Sequence, residues 1–184
     1  MAPHCPLTEI GVVHSRHTRT EHTPVQSALN LAEHATVEVF PPYLDGILGL
    51  ADFGWAWLVT WLDRAPGTPL LRQIPFLLRP QRRSMGVFAT RSPGRVNPLG
   101  LSLVRVIGVE GAHLRFAGVD LLDGTPVVDL KPYVSRFDRP DGDPRCGWYD
   151  TVPIEPGVRP ADLGPAPGAT QYDTDSQRIG PHPD

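Results

Sequence analysis

Three aspartates lie within ten residues in the segment 119–133, which reads VDLLDGTPVVDLKPY. Asp120 and Asp123 flank two leucines, so at least one carboxylate is expected to face a partly enclosed space. A carboxylate there can accept hydrogen bonds from ribose hydroxyls or an ammonium group, or act as a base. Because Asp123 precedes Gly124 and is typical of a turn, we assign the turn to Asp123 and the chemistry to Asp120. Asp129 is the third member of the group.

A second segment, 91–100, reads RSPGRVNPLG and carries two arginines and an asparagine. The Pro-Gly and Asn-Pro pairs in it predict an irregular loop that holds Arg91, Arg95 and Asn97 in fixed directions. Such a loop is common at ligand sites, and it is also common as a plain connection between strands. These residues alone leave both interpretations open.

Arginine dominates the middle of the chain. Residues 64–105 contain eight arginines and no Asp or Glu. The whole chain has 16 arginines and one lysine, a bias that explains the choice of arginine but not the missing acids. The segment therefore predicts a surface that binds phosphate or carboxylate groups. The net charge of -3 argues weakly against a protein dedicated to nucleic acid.

Histidine and tryptophan patterns give weaker indications. Histidines 14, 17, 22 and 34 lie in a polar stretch, and no second cluster follows to complete four-fold coordination, so we predict no metal site. Tryptophans 55, 57 and 61 share one face of a predicted strand. Core packing is the simplest interpretation of these tryptophans, and stacking on a base is the alternative.

The predicted elements are mostly β-strands. Alternating or continuous apolar runs predict strands, the one at 55–62 being expected to be buried on both faces. Turns are expected at Glu110-Gly111 and at Asp123-Gly124. The fold class predicted is mostly β, a small closed β-barrel with short helices, and the lack of a G-x-G-x-x-G motif argues against a Rossmann fold. The predicted strands are 10–14, 36–40, 55–62, 86–90, 101–109, 113–117 and 125–130.

Composition divides the chain into a domain at 1–150 and a flexible tail at 151–184, since prolines and glycines crowd the last part. No run of apolar residues is long enough to span a membrane, and no secretory signal is visible. Two cysteines give no disulfide framework. We therefore expect a cytoplasmic protein with no membrane partner.

Two long segments carry a family resemblance. Residues 85–104 (MGVFATRSPGRVNPLGLSLV) and 118–138 (GVDLLDGTPVVDLKPYVSRFD) resemble the two signature blocks of the TsaA-like family. Segments 10–15, 23–26 and 37–53 are also similar, so the resemblance covers about residues 9–149. It implies a β-barrel that binds S-adenosylmethionine, a homodimer, and N6-methylation of threonylcarbamoyladenosine at position 37 of tRNA.

The resemblance implies the cofactor contacts, while the reaction's need for a base and the acid-free arginine segment suggest the other site residues. Candidate catalytic groups are Asp120, Asp63 and Tyr133. Candidate contacts to the tRNA substrate are Arg82, Arg83, Arg95, Asn97 and Lys131. The cofactor contacts implied are Gln26, Ser27, Ala28, Asp63, Arg64, Arg91, Leu101, Ala117, Gly118, Val119 and Asp120.

Departures from the family pattern leave the methyl acceptor open. The chain has Gly54-Trp55 where the family commonly has Ser-His, and Asp63 where a histidine often ends the strand. A small metabolite or natural product is therefore an alternative acceptor to tRNA. A non-catalytic protein that binds S-adenosylmethionine is a second alternative.

Overall fold

The computed structural model describes residues 6–164, and six antiparallel strands in it close into a barrel in the order β1-β2-β7-β6-β3-β8. The predicted mostly-β closed barrel is confirmed. Two further strands, β4 and β5, form a separate two-stranded sheet. The strands are β1 Gly11–His14, β2 His34–Val39, β3 Trp55–Trp61, β4 Arg72–Gln73, β5 Met85–Gly86, β6 Leu99–Glu110, β7 His113–Ala117 and β8 Pro126–Pro132.

The helices are all short. One α-helical turn, α1, spans Ser135–Asp138. The others are 3₁₀ turns, the form that short connecting segments commonly take. They are Thr20–His22, Ser27–Leu29, Pro41–Ile47, Leu50–Asp52, Phe76–Leu78, Val87–Ala89, Gly147–Thr151 and Pro160–Leu163.

The strand predicted at 86–90 is wrong beyond its first residue. Gly86 pairs with Arg72, and the chain then enters the 3₁₀ turn Val87–Ala89. The Thr90 hydroxyl donates to the Val87 carbonyl at 2.8 Å. A local hydrogen bond of this kind competes with strand pairing, so the apolar run ends in a turn.

Strand β3 alternates strictly between its two faces. Ala56, Leu58 and Thr60 have no exposed surface and point into the barrel. Trp55, Trp57 and Trp61 are half-buried on the other face. The tryptophans share a face as predicted, but the expectation of a strand buried on both faces is wrong, because the outer face is only partly covered.

Both predicted turns are present. Glu110 pairs with His113 across a tight hairpin, and Gly111 has φ of 58°. Gly124 has φ of 77°, and the Thr125 N–H donates to the Leu122 carbonyl at 3.2 Å. Glycine adopts these left-handed angles without steric cost, which explains its place in each turn.

A second apolar cluster lies outside the barrel core. Leu77, Leu78 and Trp148 are its buried members. The barrel core itself is filled by residues such as Val37, Leu58 and Phe116. The second cluster is covered by partly buried side chains that include Val152, Ile154, Val158 and Leu163.

The packing of Val152, Ile154, Val158 and Leu163 contradicts the prediction of a flexible tail that begins at residue 151. The Val25 N–H donates to the Val158 carbonyl at 3.0 Å, and the Gly157 N–H donates to the Leu29 carbonyl at 2.7 Å. Apolar burial and backbone hydrogen bonds together order this stretch, so the flexible tail is wrong for 151–164. The rest of the predicted tail, 165–184, lies outside the described residues. A flexible tail there stays a prediction.

No helix within residues 6–164 is long and apolar enough to cross a membrane.

Candidate functional site

A cavity of about 620 Å³ lies between residues of strands β3 and β6 and the loops around Arg91 and Trp148. This volume is in the range of small-molecule sites. Its walls mix apolar side chains, among them Leu101 and Leu121, with charged ones such as Arg91 and Asp120. A cavity of this size and composition can hold an organic ligand that has both apolar and charged parts.

Asp120 is the carboxylate that joins the walls of this cavity. Its Oδ2 accepts a hydrogen bond from the Ser27 backbone N–H at 2.9 Å. Its Oδ1 accepts one from the Ser102 hydroxyl at 2.7 Å. A carboxylate oxygen has two lone pairs, so each oxygen can accept a further hydrogen bond from a ligand.

Backbone contacts hold Asp120 in place. Asn30 donates through Nδ2 to the Val119 carbonyl at 2.8 Å, and the Gly118 N–H donates to the Glu33 carbonyl at 3.1 Å. Gly118 has φ of 96°, and a Cβ there would lie 3.1 Å from the Ser27 carbonyl oxygen. Glycine at this position therefore permits the close approach that brings Ser27 to Asp120.

The ionisation of Asp120 is perturbed. Burial raises the pKa of Asp120 to about 6, since the charged form is poorly solvated in the cavity wall. The hydrogen bonds from Ser102 and Ser27 and the charge of Arg91 act in the opposite direction. Asp120 is therefore a carboxylate that titrates just below neutral pH, which is suited to binding a donor or taking a proton.

Arg91 lies at the mouth of the cavity. Its Nη2 donates to the Leu101 carbonyl at 3.1 Å, and its side chain is otherwise exposed. Its positive charge acts on Asp120 and on Tyr149, so it lies near both. An exposed guanidinium has donors left for a ligand carboxylate or phosphate.

Asp63 and Arg64 lie at another side of the cavity, directly after β3. Arg64 donates through Nη2 to the Asp123 carbonyl at 2.6 Å, which ties this loop to the turn before β8. Arg64 Nε lies 3.5 Å from Asp63 Oδ1, and both side chains are about two-fifths exposed. Asp63 can therefore meet a substrate that enters from solvent.

Asp123 has the turn role that its sequence context predicts. Its Oδ1 accepts a hydrogen bond from the Ser15 N–H at 3.1 Å, and its own N–H donates to the His17 carbonyl at 2.7 Å. The structure thus separates Asp123 from Asp120, whose carboxylate borders the cavity.

Tyr133 lies behind the cavity wall. Its backbone N–H donates to the Trp55 carbonyl, and its ring centroid is 6.1 Å from that of Trp57, which lines the cavity. Tyr133 itself is not among the described residues that line it. Its role as a base stays a prediction.

The predicted cofactor contacts divide into two groups. Six of them line the cavity, and Ser27 reaches it through Asp120. The remaining four are not among the lining residues; Ala28 is exposed, and the other three are buried. The lining residues are Gln26, Asp63, Arg64, Arg91, Leu101 and Asp120, and the four others are Ala28, Ala117, Gly118 and Val119.

The predicted substrate contacts are more dispersed. Arg95 lines the cavity, whereas Arg82, Arg83, Asn97 and Lys131 are exposed residues away from its described walls. Lys131 is 2.8 Å from the Asp129 carboxylate.

The structure adds aromatic residues that the sequence-based site did not contain. Trp57, Phe76, Trp148 and Tyr149 all line the cavity. For Trp57, the spacing of the tryptophans in β3 had already suggested base stacking as an alternative to core packing. Trp148 and Tyr149 come from a Pro/Gly-rich region whose local pattern carries no such signal.

Within residues 6–164, no group of three or more His, Cys, Asp or Glu residues is arranged to hold a metal ion. Two of the clustered histidines bind carboxylates: His14 lies 2.8 Å from Glu38 and His17 lies 2.7 Å from Glu33.

Comparison with known families assigns the class. Residues 12–139 match the model of the tRNA-methyltransferase O N-terminal domain. That match covers well over half of the chain, and the chain belongs to this family of methyltransferase domains. The predicted membership is confirmed.

Individual relatives agree with that assignment. A probable S-adenosyl-L-methionine-binding protein of Pyrococcus abyssi is 38% identical over 141 residues, which cover 77% of this chain and 74% of that protein. A tRNA (adenine(37)-N6)-methyltransferase of Eikenella corrodens is 51% identical over 87 residues, covering 43% of this chain and 49% of that enzyme.

A solved structure shares the fold. The crystal structure of TrmO from Pseudomonas aeruginosa superposes with a TM-score of 0.66 at 35% identity. The match covers 82% of this chain and 63% of that chain, so this chain spans less than two thirds of the TrmO protein.

Proposed function

We propose that this chain is an S-adenosylmethionine-dependent methyltransferase that acts on N6 of adenosine 37 in tRNA, with threonylcarbamoyladenosine as the methylated nucleoside. The observation that carries the proposal is the Asp120 carboxylate at a cavity of about 620 Å³ that Arg91 also lines. Membership of the family and similarity to the tRNA (adenine(37)-N6)-methyltransferase of Eikenella corrodens support the same proposal.

The residues around the cavity fit the cofactor. The oxygens of Asp120 can accept hydrogen bonds from ribose hydroxyls or an ammonium group. Arg91 can bind a carboxylate, and Leu62 and Leu101 offer apolar surface to an adenine ring. S-adenosylmethionine, when bound, supplies a methyl group on a positively charged sulfur.

The chain must then align the acceptor and manage its proton. Methyl transfer is an in-line displacement, so positioning of the nucleophile contributes much of the rate. The N6 group of a carbamoylated adenosine is a poor nucleophile until its proton leaves, which calls for a base or for donors that stabilise the anion. Asp63 and Asp120 border the cavity, and we propose them, with Tyr133 behind it, as the candidates.

Arginine side chains give the RNA a surface to bind. Arg82 and Arg83 are exposed, and Arg95 borders the cavity in the same acid-free segment. We propose that these residues, with Asn97 and Lys131, contact the anticodon loop. Phosphate contacts release counterions, so affinity for tRNA should fall steeply as salt increases.

We also propose a cytoplasmic homodimer. Leu99, Leu101 and Ile107 are exposed at intervals along one strand, β6, and the first two also border the cavity. Exposed apolar residues favour association with another protein surface, so a second copy of the chain would meet this one beside the cavity. The cytoplasmic location is proposed because the proposed substrate is tRNA.

Methylation of defined tRNA tests the proposal. The protein is incubated with S-adenosylmethionine and tRNA that carries threonylcarbamoyladenosine, and the nucleosides are analysed by mass spectrometry. A parallel reaction uses tRNA with unmodified adenosine 37. We expect one added methyl group on the modified nucleoside and none on the plain adenosine.

Each other outcome identifies an alternative. Methylation of plain adenosine 37 would contradict the threonylcarbamoyl part only. Absence of methyl transfer to either tRNA would contradict the proposal that tRNA is the acceptor and would favour a small-molecule acceptor. Calorimetric binding of the cofactor without turnover on any acceptor would favour a non-catalytic binding protein.

A further inference from the structure

One side of the cavity is built by residues that lie beyond the part of the chain matched by the family model. That match ends at residue 139, yet Trp148 and Tyr149 both line the cavity. Their rings are stacked, with centroids 3.7 Å apart and planes inclined by 24°. We call these two residues the aromatic wall.

The aromatic wall is firmly supported. Trp148 is 8% exposed and packs with Leu77 and Leu78 in the second apolar cluster. Its indole Nε1 donates to the Ala89 carbonyl at 2.8 Å, just ahead of Arg91. Because Trp148 is fixed from behind, the Tyr149 ring that stacks on it is held at a defined place in the cavity.

Positive charge lies beside the wall. Burial raises the pKa of the Tyr149 phenol, while the charges of Arg91 and Arg95 and a hydrogen bond from the Arg91 backbone act in the opposite direction. Arg95 donates a hydrogen bond to the Thr90 carbonyl at 3.4 Å. A guanidinium has five N–H donors, so Arg95 keeps donors for a second group near the ring.

Tyr149 is half-buried: it packs on the second apolar cluster and also borders the cavity, so part of its side chain is open to a ligand. A planar aromatic ring next to a guanidinium is the combination with which proteins bind unpaired nucleotides, the ring stacking on the base and the cation meeting a phosphate. The geometry therefore suits one nucleotide of a single-stranded loop.

We infer that Tyr149, backed by Trp148, stacks on an unpaired base of the RNA methyl acceptor, and that Arg95 binds a phosphate next to that base. This inference rests on the proposed function and adds a residue that determines acceptor binding. In the proposed function the cofactor is held by Asp120, whereas the Tyr149 ring makes no assigned cofactor contact, so loss of that ring should affect RNA and spare the cofactor.

The test measures binding of RNA and cofactor separately. A fluorescent anticodon stem-loop RNA carrying threonylcarbamoyladenosine is titrated with the full chain, at saturating S-adenosylhomocysteine, and followed by anisotropy. Calorimetry gives the Kd for S-adenosylhomocysteine alone. The variants are Tyr149→Phe, which keeps the ring, and Tyr149→Leu, which removes it, with Tyr43→Leu as a control on an exposed tyrosine outside the cavity.

Stacking on one base is worth about 1–3 kcal/mol, so we expect Tyr149→Leu to weaken RNA binding roughly tenfold. Tyr149→Phe and Tyr43→Leu should stay within about twofold of the original chain, and the Kd for S-adenosylhomocysteine should not change. If Tyr149→Leu fails to fold, judged by loss of S-adenosylhomocysteine binding and of a thermal transition, Tyr149→Met takes its place with the same expected result.

Three results would overturn the inference. Equal RNA affinity of the leucine and phenylalanine variants would show that the ring stacks on nothing in the acceptor. A weakened Kd for S-adenosylhomocysteine with unchanged RNA binding would make the aromatic wall part of the cofactor site. Failure of the original chain to bind the RNA at all would remove the proposed function itself, and so is distinguishable from the first two.

Discussion

Asp120 accepts a hydrogen bond from the backbone N–H of Ser27 at 2.9 Å, although the two residues are 93 positions apart in sequence. The same carboxylate binds the Ser102 hydroxyl on β6 at 2.7 Å. Ser102 is 2% exposed and Ser27 is 4% exposed, so these donors have little access to water. One carboxylate therefore joins three segments of the cavity and is available to a ligand at the same time.

Removal of that carboxylate should weaken the fold and the site together. In Asp120→Ala the Ser27 N–H and the Ser102 hydroxyl lose their acceptor, which costs about 1–3 kcal/mol of unfolding free energy. We expect the affinity for S-adenosylmethionine to fall at least roughly tenfold, since the ligand loses a charged acceptor. Urea unfolding and calorimetry measure the two effects.

Asp123→Asn is the matched control from the same segment. Its carboxylate binds the Ser15 N–H outside the cavity, so stability can fall slightly while cofactor affinity should stay unchanged. Equal loss of cofactor affinity in the two variants would show that Asp120 has no special place in the site.

Much of the site could be predicted from local sequence. The roles of Asp120 and Asp123 could be told apart because Gly124 marks a turn beside Asp123, and turns are determined by neighbouring residues. Most barrel strands followed from apolar runs and alternation, which reflect the two faces of a strand. The family resemblance then added Gln26 and Arg64, whose place at the cavity no local pattern indicates.

The place of the aromatic wall in the cavity could not be predicted, because it depends on packing between distant segments. Trp148 meets Leu77 and Leu78 some 70 residues earlier in the chain. The order of 151–164 was missed for a related reason. Prolines and glycines make up five of its 14 residues. A few spaced apolar side chains, such as Ile154 and Val158, suffice to dock it once a partner surface exists.

Cofactor affinity should depend on pH through Asp120. Its pKa is raised to about 6 by burial, so the carboxylate becomes protonated as pH falls through about 6 and loses acceptor strength. We expect binding of S-adenosylmethionine to weaken between about pH 7 and 5, and Asp120→Asn to bind weakly with this step removed. A calorimetric series over that range measures it. An unchanged step in Asp120→Asn would assign the titration to another group.

A side chain at Gly118 should be destabilising for two reasons, the positive φ and the close contact with Ser27. A pair of variants separates the two. Gly118→Ala forces alanine into φ of 96° and places its Cβ 3.1 Å from the Ser27 carbonyl. Gly111→Ala meets only the positive φ, of 58°, with open space around it. Gly111→Ala should lose about 1 kcal/mol of unfolding free energy, and Gly118→Ala should lose more because it adds the close contact with Ser27. Thermal unfolding measures both losses.

Only the Gly118 variant should also lose affinity for S-adenosylmethionine, because displacement of Ser27 disturbs Asp120. If both variants bind the cofactor as tightly as the original chain, the close approach of Gly118 to Ser27 has no role in shaping the site.

Glu33 should make the fold sensitive to acid in a direction opposite to Asp120. Burial acts to raise the pKa of Glu33, but hydrogen bonds with Asn30 and His17 and the charges of His17 and Arg16 outweigh it, so the pKa is lowered. A carboxyl whose folded pKa lies below its unfolded value stabilises the fold above the unfolded pKa. That stabilisation disappears as pH falls through the folded pKa.

For Asp120, with a raised pKa, stability instead increases as pH falls from about 6 toward its usual value of 3.8. Urea unfolding from about pH 7 to 3 should therefore show Glu33→Gln losing less stability below about pH 4.5 than the original chain does. Glu155→Gln, on an exposed residue, is the control and should follow the original curve. If Glu33→Gln loses stability at low pH as steeply as the original chain, the ion pairs between Glu33 and the segment 16–17 do not contribute to the fold.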